Sequence, residues 1–309
     1  MNIEDITVFL TIADTLNLSK AAELMYITQS TVSYRLKRLE DELGICLVKR
    51  NRGERYVELT PKGTEFIGIA KQWVSIAKYT KQFKETQNFM NLRIAQVDWF
   101  NAYPFYEFYE SFLEAEPQVK IKVRTGHSFP ISEKVNNVET DVGFVVHPNR
   151  SPQLVYQPIF QDPLVMVCSK DAGRTGDTVY PGDLDAQDEV LWRYFGDMRL
   201  WYEQWLWHEQ WWDSSIIPAV QIDFSVPTAF GFLSNPKRWM VSPKSIAEDQ
   251  VQKNSNLAIY EFSSPPPNMV CYCIYRNEPS QQAIASINVL LNHMEKHSDI
   301  LIKHDYMKI

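Results

Sequence analysis

The sequence predicts a multidomain chain: a small all-α head with a two-stranded appendage, one long helix, and then a larger α/β region. Three observations carry that prediction. At 309 residues the chain exceeds what one hydrophobic core organises, so two or three compact units are expected. Apolar residues recur at helical spacing up to about residue 86, whereas short alternating runs interleave with helical ones from Leu92 onward. Charge also divides along the chain. Residues 1–90 hold 13 Lys and Arg against 11 Asp and Glu, and the remainder holds 18 against 27. The net charge of -7 therefore arises beyond residue 90, and the head is slightly basic.

Composition limits the function classes. With 45% hydrophobic and 22% charged residues the chain can fill a core, so disorder is not expected. Its longest apolar runs, Pro163 to Cys168 and Met269 to Tyr275, fall far short of the ~20 residues that span a bilayer. The start, Met-Asn-Ile-Glu-Asp, has neither the basic nor the apolar stretch of a secretory signal; a cytoplasmic protein with no membrane partner is expected. Cys46, Cys168, Cys271 and Cys273 should then be reduced. Cys271 and Cys273 alternate along an apparent strand, which favours buried packing over metal or redox chemistry.

Within the head, Ile6, Phe9, Leu10 and Ala13 mark a first helix from about Glu4 to Leu16. Ser19 is expected to N-cap a short second helix carrying Ala21, Ala22 and Leu24. Thr28 can cap a third, whose stripe of Val32, Leu36, Leu39 and Leu43 stops at Gly44. Three helices with a tight second-to-third connection form a helix-turn-helix pattern. The other face of the third helix presents Gln29, Ser30, Ser33, Tyr34, Lys37 and Arg38, with Thr28, Thr31 and Arg35 beside them, groups able to bond base edges in a major groove. Leu47 to Arg55 and Tyr56 to Leu59 read as a hairpin turning at Gly53, a wing whose Arg50, Arg52 and Arg55 can reach phosphates or a minor groove. A solvated charged helix face is the plainer alternative for these cations.

The runs Leu18-Ser-Lys-Ala-Ala-Glu-Leu, Thr28-Gln-Ser-Thr-Val-Ser-Tyr-Arg-Leu-Lys-Arg-Leu-Glu-Asp-Glu-Leu-Gly44, Leu47-Val-Lys-Arg50 and Leu59-Thr-Pro-Lys-Gly63 resemble, in order and spacing, the LysR-type transcriptional regulators. One departure is Val48, where the family usually has Phe. The resemblance implies an N-terminal winged helix-turn-helix, a linker helix, and a periplasmic-binding-protein-like effector domain of two α/β subdomains. The corresponding boundaries are 1–60, 61–90 and 91–309, with subdomain I at 91–161 and 268–309 and subdomain II at 162–267. Implied partners are double-stranded DNA, a small-molecule effector, a second copy of the chain in a dimer or tetramer, and RNA polymerase.

Thr60-Pro61 opens the long helix toward about Thr86. Phe66, Ala70, Trp73, Ala77 and Thr80, flanked by Ile69, Ile76 and Phe83, make a near-heptad stripe expected to pair with its copy. Packing on the chain's own C-terminal region is the alternative. In the α/β region, ligands of open sheets sit at strand-to-helix turns. The effector candidates are therefore Trp99, Phe100, Asn101, His127, Ser128, His147, Ser225, Val226, Pro227 and Thr228. Ser234-Asn-Pro-Lys-Arg-Trp239 departs from the family's usual glycine-rich stretch. The segment Trp192 to Trp212, dense in Trp and Tyr, reads as an aromatic-rich helix on a sheet or as a contact surface.

No Gly-rich phosphate loop, nucleophile elbow or zinc ligand set is present. His293 and His297 lie at i and i+4 but lack the glutamate of a metalloprotease motif, so neither enzyme activity, metal nor cofactor is expected. An effector-controlled DNA regulator is the first reading; a ligand-binding or scaffold protein that no longer regulates DNA is the second.

Overall fold

The computed structural model describes residues 2–50, 56–85, 89–102, 105–146, 151–192, 218, 220–222 and 225–309. They form two compact units, Met1–Phe89 with Asn136–Glu139, and Met90–Val135 with Thr140–Ile309.

In the first unit, helix α1 (Ile3–Thr15) is capped by Asn2, and α2 (Leu18–Leu24) by Asn17 rather than by the expected Ser19. Asn17 is extended, and its Oδ1 accepts from the backbone N–H of Ser19 at 2.9 Å and of Lys20 at 3.0 Å, so Ser19 already lies in the first turn. Thr28 caps α3 (Gln29–Leu43), accepting from Thr31 N–H, and Gly44 ends it at φ 68°. Ile6, Phe9, Ile12, Ala21, Val32, Leu36 and Leu39 form the inaccessible centre of this three-helix core.

The wing is the antiparallel pair β1 (Val48–Arg50) and β2 (Val57–Leu59). Val48 is buried against the head core. Arg52 and Arg55 lie outside the described residues.

Helix α4 (Pro61–Glu85) is fastened to the head at its first turn. Thr60 N–H donates to Leu47 O and Thr60 Oγ to Cys46 O, while Gly63 N–H donates back to Thr60 Oγ. Phe66 and Ala70 correct the sequence reading. Expected to meet a second copy, they are instead buried in the head core, with the Phe66 ring centroid 5.3 Å from that of Phe9. Among the described side chains of α4, the large apolar ones left in the open are Ile69 (52% exposed), Trp73 (41%) and Ile76 (53%), one helical face over two turns.

The second unit holds two main sheets. The first has the order β4-β3-β5-β13-β6, from β3 (Met90–Gln96), β4 (Val119–Thr125), β5 (Val142–Val145), β6 (Leu154–Asp162) and β13 (Met269–Arg276). Strand β3 runs parallel to β4 and β5, whereas β13 is antiparallel to β5 and β6. The second sheet has the order β11-β7-β12-β8, from β7 (Leu164–Ser169), β8 (Thr178–Val179), β11 (Trp239–Pro243) and β12 (Leu257–Phe262). A short parallel pair, β9 (Val190–Trp192) and β10 (Val220–Ile222), lies beside β11. The chain passes from sheet to sheet at Asp162-Pro163 and returns between Phe262 and Met269.

Short and long helices follow the strands: α5 (Trp99–Ala102), α6 (Phe105–Ala115), α7 (Ser128–Asn136), α8 (Val226–Gly231), α9 (Lys244–Lys253), α10 (Gln281–Lys296) and α11 (Ser298–Leu301). Cys271 and Cys273 are inaccessible, and burial pushes both thiols well above their ordinary range, which suits packing and disfavours a reactive thiolate. Of the Trp-rich segment, residues 193–212 lie outside the described residues.

Candidate functional site

The polar face of α3 begins where its cap forms. Thr28 Oγ1 lies 2.8 Å from both Ser30 Oγ and Thr31 Oγ1, so the three hydroxyls hold one another at the helix start. Gln29, Ser30, Tyr34 and Lys37 are exposed there, with Ser33 and Thr31 half-buried between them. This is the face that a helix-turn-helix presents to a major groove, with its N-terminal residues toward base edges.

Two of the expected DNA-contacting cations have other work. Arg38 donates from Nε and Nη2 to the two carboxylate oxygens of Asp5, at 2.7 Å and 2.6 Å, and Asp5 is 1% exposed. Arg35 pairs with Glu4 at 2.6 Å. Arg38 locks α3 to α1, because the buried Asp5 carboxylate needs a hydrogen-bonded counter-charge, whereas the more exposed Arg35–Glu4 pair adds little. Arg38 also lies over the Tyr34 ring, 5.7 Å from its centroid, which steadies that exposed phenol.

The wing is set by α3 itself. Glu40 Oε1 accepts from the N–H groups of Leu47 at 2.7 Å and Val48 at 3.0 Å. Sequence reading gave Glu40 no role, because its partners lie across a turn and carry no side-chain signal. Arg50 closes β1, and Lys49 beside it is exposed.

In the second unit the effector candidates separate. Trp99 and Phe100 are 1% and 2% exposed; Phe100 meets the rings of Phe105 and Phe160, so both fill the core rather than line a crevice. Val226 is likewise buried. Ser128 Oγ accepts from Val146 N–H at 3.2 Å, tying α7 to the end of β5. His127 precedes α7 half-buried, Asn101 stands in α5, and His147 lies outside the described residues.

Ser225 caps α8 by accepting from Thr228 N–H, and its own N–H donates to Asp98 Oδ2 at 2.9 Å. That bond joins the end of β3, in the first sheet, to the chain that follows β10. Ser225 has φ 102° and ψ 91°, a conformation rare for any residue but glycine, and such strain collects at functional sites. Pro227 and Thr228 are exposed alongside.

His293 is buried between Phe108 and Phe112, with Nε2 3.2 Å from Ser111 Oγ. Burial and then His297 push its imidazole below the ordinary range, so it packs as a neutral ring. Among the described residues no group of acidic, His and Cys side chains is placed to hold a metal. No described helix is long and apolar enough to cross a membrane.

Comparison with known proteins matches both units in order. The family model for the bacterial regulatory helix-turn-helix protein, lysR family, covers residues 3–64, and that for the LysR substrate binding domain covers residues 87–296. The transcriptional regulator YofA of Bacillus velezensis is 27% identical over 176 residues, 56% of this chain and 60% of YofA. The activator IlvY of Haemophilus influenzae is 26% identical over 212 residues, 66% of this chain and 71% of IlvY. The chain thus matches about three-fifths of the length of the first relative.

Solved structures agree over more of the length. CbnR, a LysR family regulator, superposes with TM-score 0.64 at 18% identity, over 96% of this chain and 99% of CbnR, and a CbnR complex with its target DNA superposes at 0.62. A full-length variant of OxyR from Pseudomonas aeruginosa gives 0.61 at 18% identity, over 99% of this chain and 96% of that one. At such identities these likenesses show the fold. With the substrate-domain model matching well over half of its residues, the chain belongs to the LysR family of bacterial transcription regulators, a family of regulators rather than enzymes.

Proposed function

We propose that this protein is a sequence-specific DNA-binding regulator that reads two half-sites as a dimer and is controlled by a small molecule held between the two sheets of its second unit. The observation that carries the DNA reading is the exposed polar start of α3, from Thr28 to Lys37, on a head locked by Asp5 and Arg38. Footprinting the full-length protein on the intergenic region upstream of its own gene, at several salt concentrations, tests it. Paired protected half-sites that weaken steeply with salt are expected. Ser33→Trp, which fills the groove-facing surface, should lower specific affinity by about a hundredfold or more, the cost of roughly two lost base contacts. Specific binding that survives Ser33→Trp overturns the placement of the reading face.

Self-association rests on Ile69, Trp73 and Ile76, the face of α4 that the head does not cover. Two copies placed back to back bury these side chains at about 25 cal/mol for each Å² of apolar surface. Trp73→Arg is expected to shift the assembly toward monomer by at least tenfold in dissociation constant, measured by sedimentation, without unfolding the head. An unchanged dimer refutes this face. The same face on two chains gives two-fold symmetry, matching palindromic half-sites.

The effector reading is supported by the matched substrate binding domain and by the strand-to-helix turns that converge at Asp98 and Ser225. An effector acts by preferring one arrangement of the two subdomains, and a compound with equal affinity for both changes nothing.

A further inference from the structure

The turn between α2 and α3 ends α2 in a Schellman motif. Ile27 N–H donates to Ala22 O at 3.1 Å, and Tyr26 N–H donates to Glu23 O at 3.2 Å. The residue after the C-cap of such a motif sits in the left-handed region and is most often glycine, because a Cβ there meets the neighbouring carbonyl. This chain has Tyr26 at φ 55°. The side chain returns nothing to the fold for that strain, since it is 96% exposed, the most open of the large hydrophobic residues described. A bulky residue kept in a costly backbone state, with its ring entirely in solvent, is doing something outside the fold.

Its position says what. Tyr26 stands two residues ahead of Thr28, the cap of the helix whose N-terminal end faces base edges, so it flanks the groove where the DNA backbone passes. A phosphate oxygen is an acceptor, and a phenol at the tip of a rigid turn is a neutral donor with an apolar ring to lie along the sugar. Resting on the reading of α3 as the groove-entering helix, we infer that Tyr26 is a DNA-backbone contact: its hydroxyl donates to a phosphate bordering that groove, and it fixes the register of the head without reading sequence.

The test uses the full-length protein and mixed-sequence duplex DNA, for which a backbone contact must matter as much as for an operator. Tyr26→Phe removes the hydroxyl and should weaken binding by about tenfold for a dimer contributing two such bonds. Being neutral, the phenol releases no counterion, so the slope of affinity against salt should stay as in the wild type. Lys37→Ala, the comparison, should flatten that slope by about one for each protomer. Tyr26→Gly should raise the melting midpoint of the first unit, by relieving the left-handed strain, while weakening DNA binding at least as much as Tyr26→Phe. Stability and binding moving in opposite directions is the signature of strain kept for function. If Tyr26→Phe and Tyr26→Gly bind duplex DNA as the wild type does, the inference fails; it fails equally if the loss appears only on one operator sequence.

Discussion

Gly63→Ala is expected to prevent the first unit from folding while the second unit stands. A Cβ at Gly63 falls 2.1 Å from Leu47 O and 3.0 Å from its carbonyl carbon, so the obstacle is backbone and no side chain can rotate away. Neither partner can retreat. Leu47 O accepts from Thr60 N–H, Cys46 O accepts from Thr60 Oγ, and Glu40 holds the N–H groups of Leu47 and Val48. Overpacking in a core that can yield costs about 1–3 kcal/mol; here the cost should exceed that and consume most of the roughly 5–15 kcal/mol available to a domain. Limited proteolysis of the full-length variant should cut freely before residue 90 and leave the rest resistant, and duplex DNA binding should vanish. A variant that resists cleavage like the wild type contradicts this close approach.

Asp162→Asn should make the second unit more stable at neutral and alkaline pH and remove the part of its pH dependence that this carboxyl contributes. Asp162 is 1% exposed where the chain passes between sheets, and Ser245 donates to it from N–H at 3.2 Å and from Oγ at 2.5 Å. Burial, partly opposed by these bonds and reinforced by Glu248, pushes its carboxyl from 3.8 up to about 7. The folded chain therefore holds this proton at a pH where the unfolded chain has released it. Stability is greatest below about pH 4 for this group, falls as pH rises, and is fully lost above about pH 7, by roughly 4 kcal/mol. Asparagine keeps both contacts without a charge, accepting from Ser245 N–H and donating to its Oγ. Urea unfolding of the second unit at about pH 5 and about pH 8 should separate wild type from variant much more widely at the higher pH. Equal losses in both proteins remove Asp162 from this account.

What was legible in the sequence was local. Thr28, Gly44 and Thr60-Pro61 declare helix ends through bonds made within a few residues, and the structure uses all of them. Asn17 was missed because two capping side chains stand two residues apart and only the backbone decides between them. The stripe on α4 mixed two faces: Phe66 and Ala70 belong to the head, while Ile69, Trp73 and Ile76 do not, and periodicity marks apolar residues without naming what covers them. Trp99 and Phe100 follow a strand, as site residues do, yet both are buried, and the ring that Phe100 meets at Phe160 lies sixty residues away, with no signal in the neighbourhood of either. The pairing of Arg38 with Asp5 spans 33 positions and has no signal in either neighbourhood. Pro158 interrupts the run of β6 and masks it as a strand in the sequence, tolerable because β6 lies at an edge of the sheet.

The fastening of α4 has a mechanical consequence. With Thr60 and Gly63 bonded at its root and Phe66 and Ala70 sunk in the head, the helix and the reading face turn as one piece. The head has no wrist. Over its 25 residues the helix is about 37 Å long, so a swing of about four degrees at one end becomes a displacement of roughly 2–3 Å at the other. In the dimer proposed above, the distance between two half-sites would be a gauge of the angle at which two such levers cross, and a spacer lengthened by a single base pair would ask the whole lever, rather than a loop, to move.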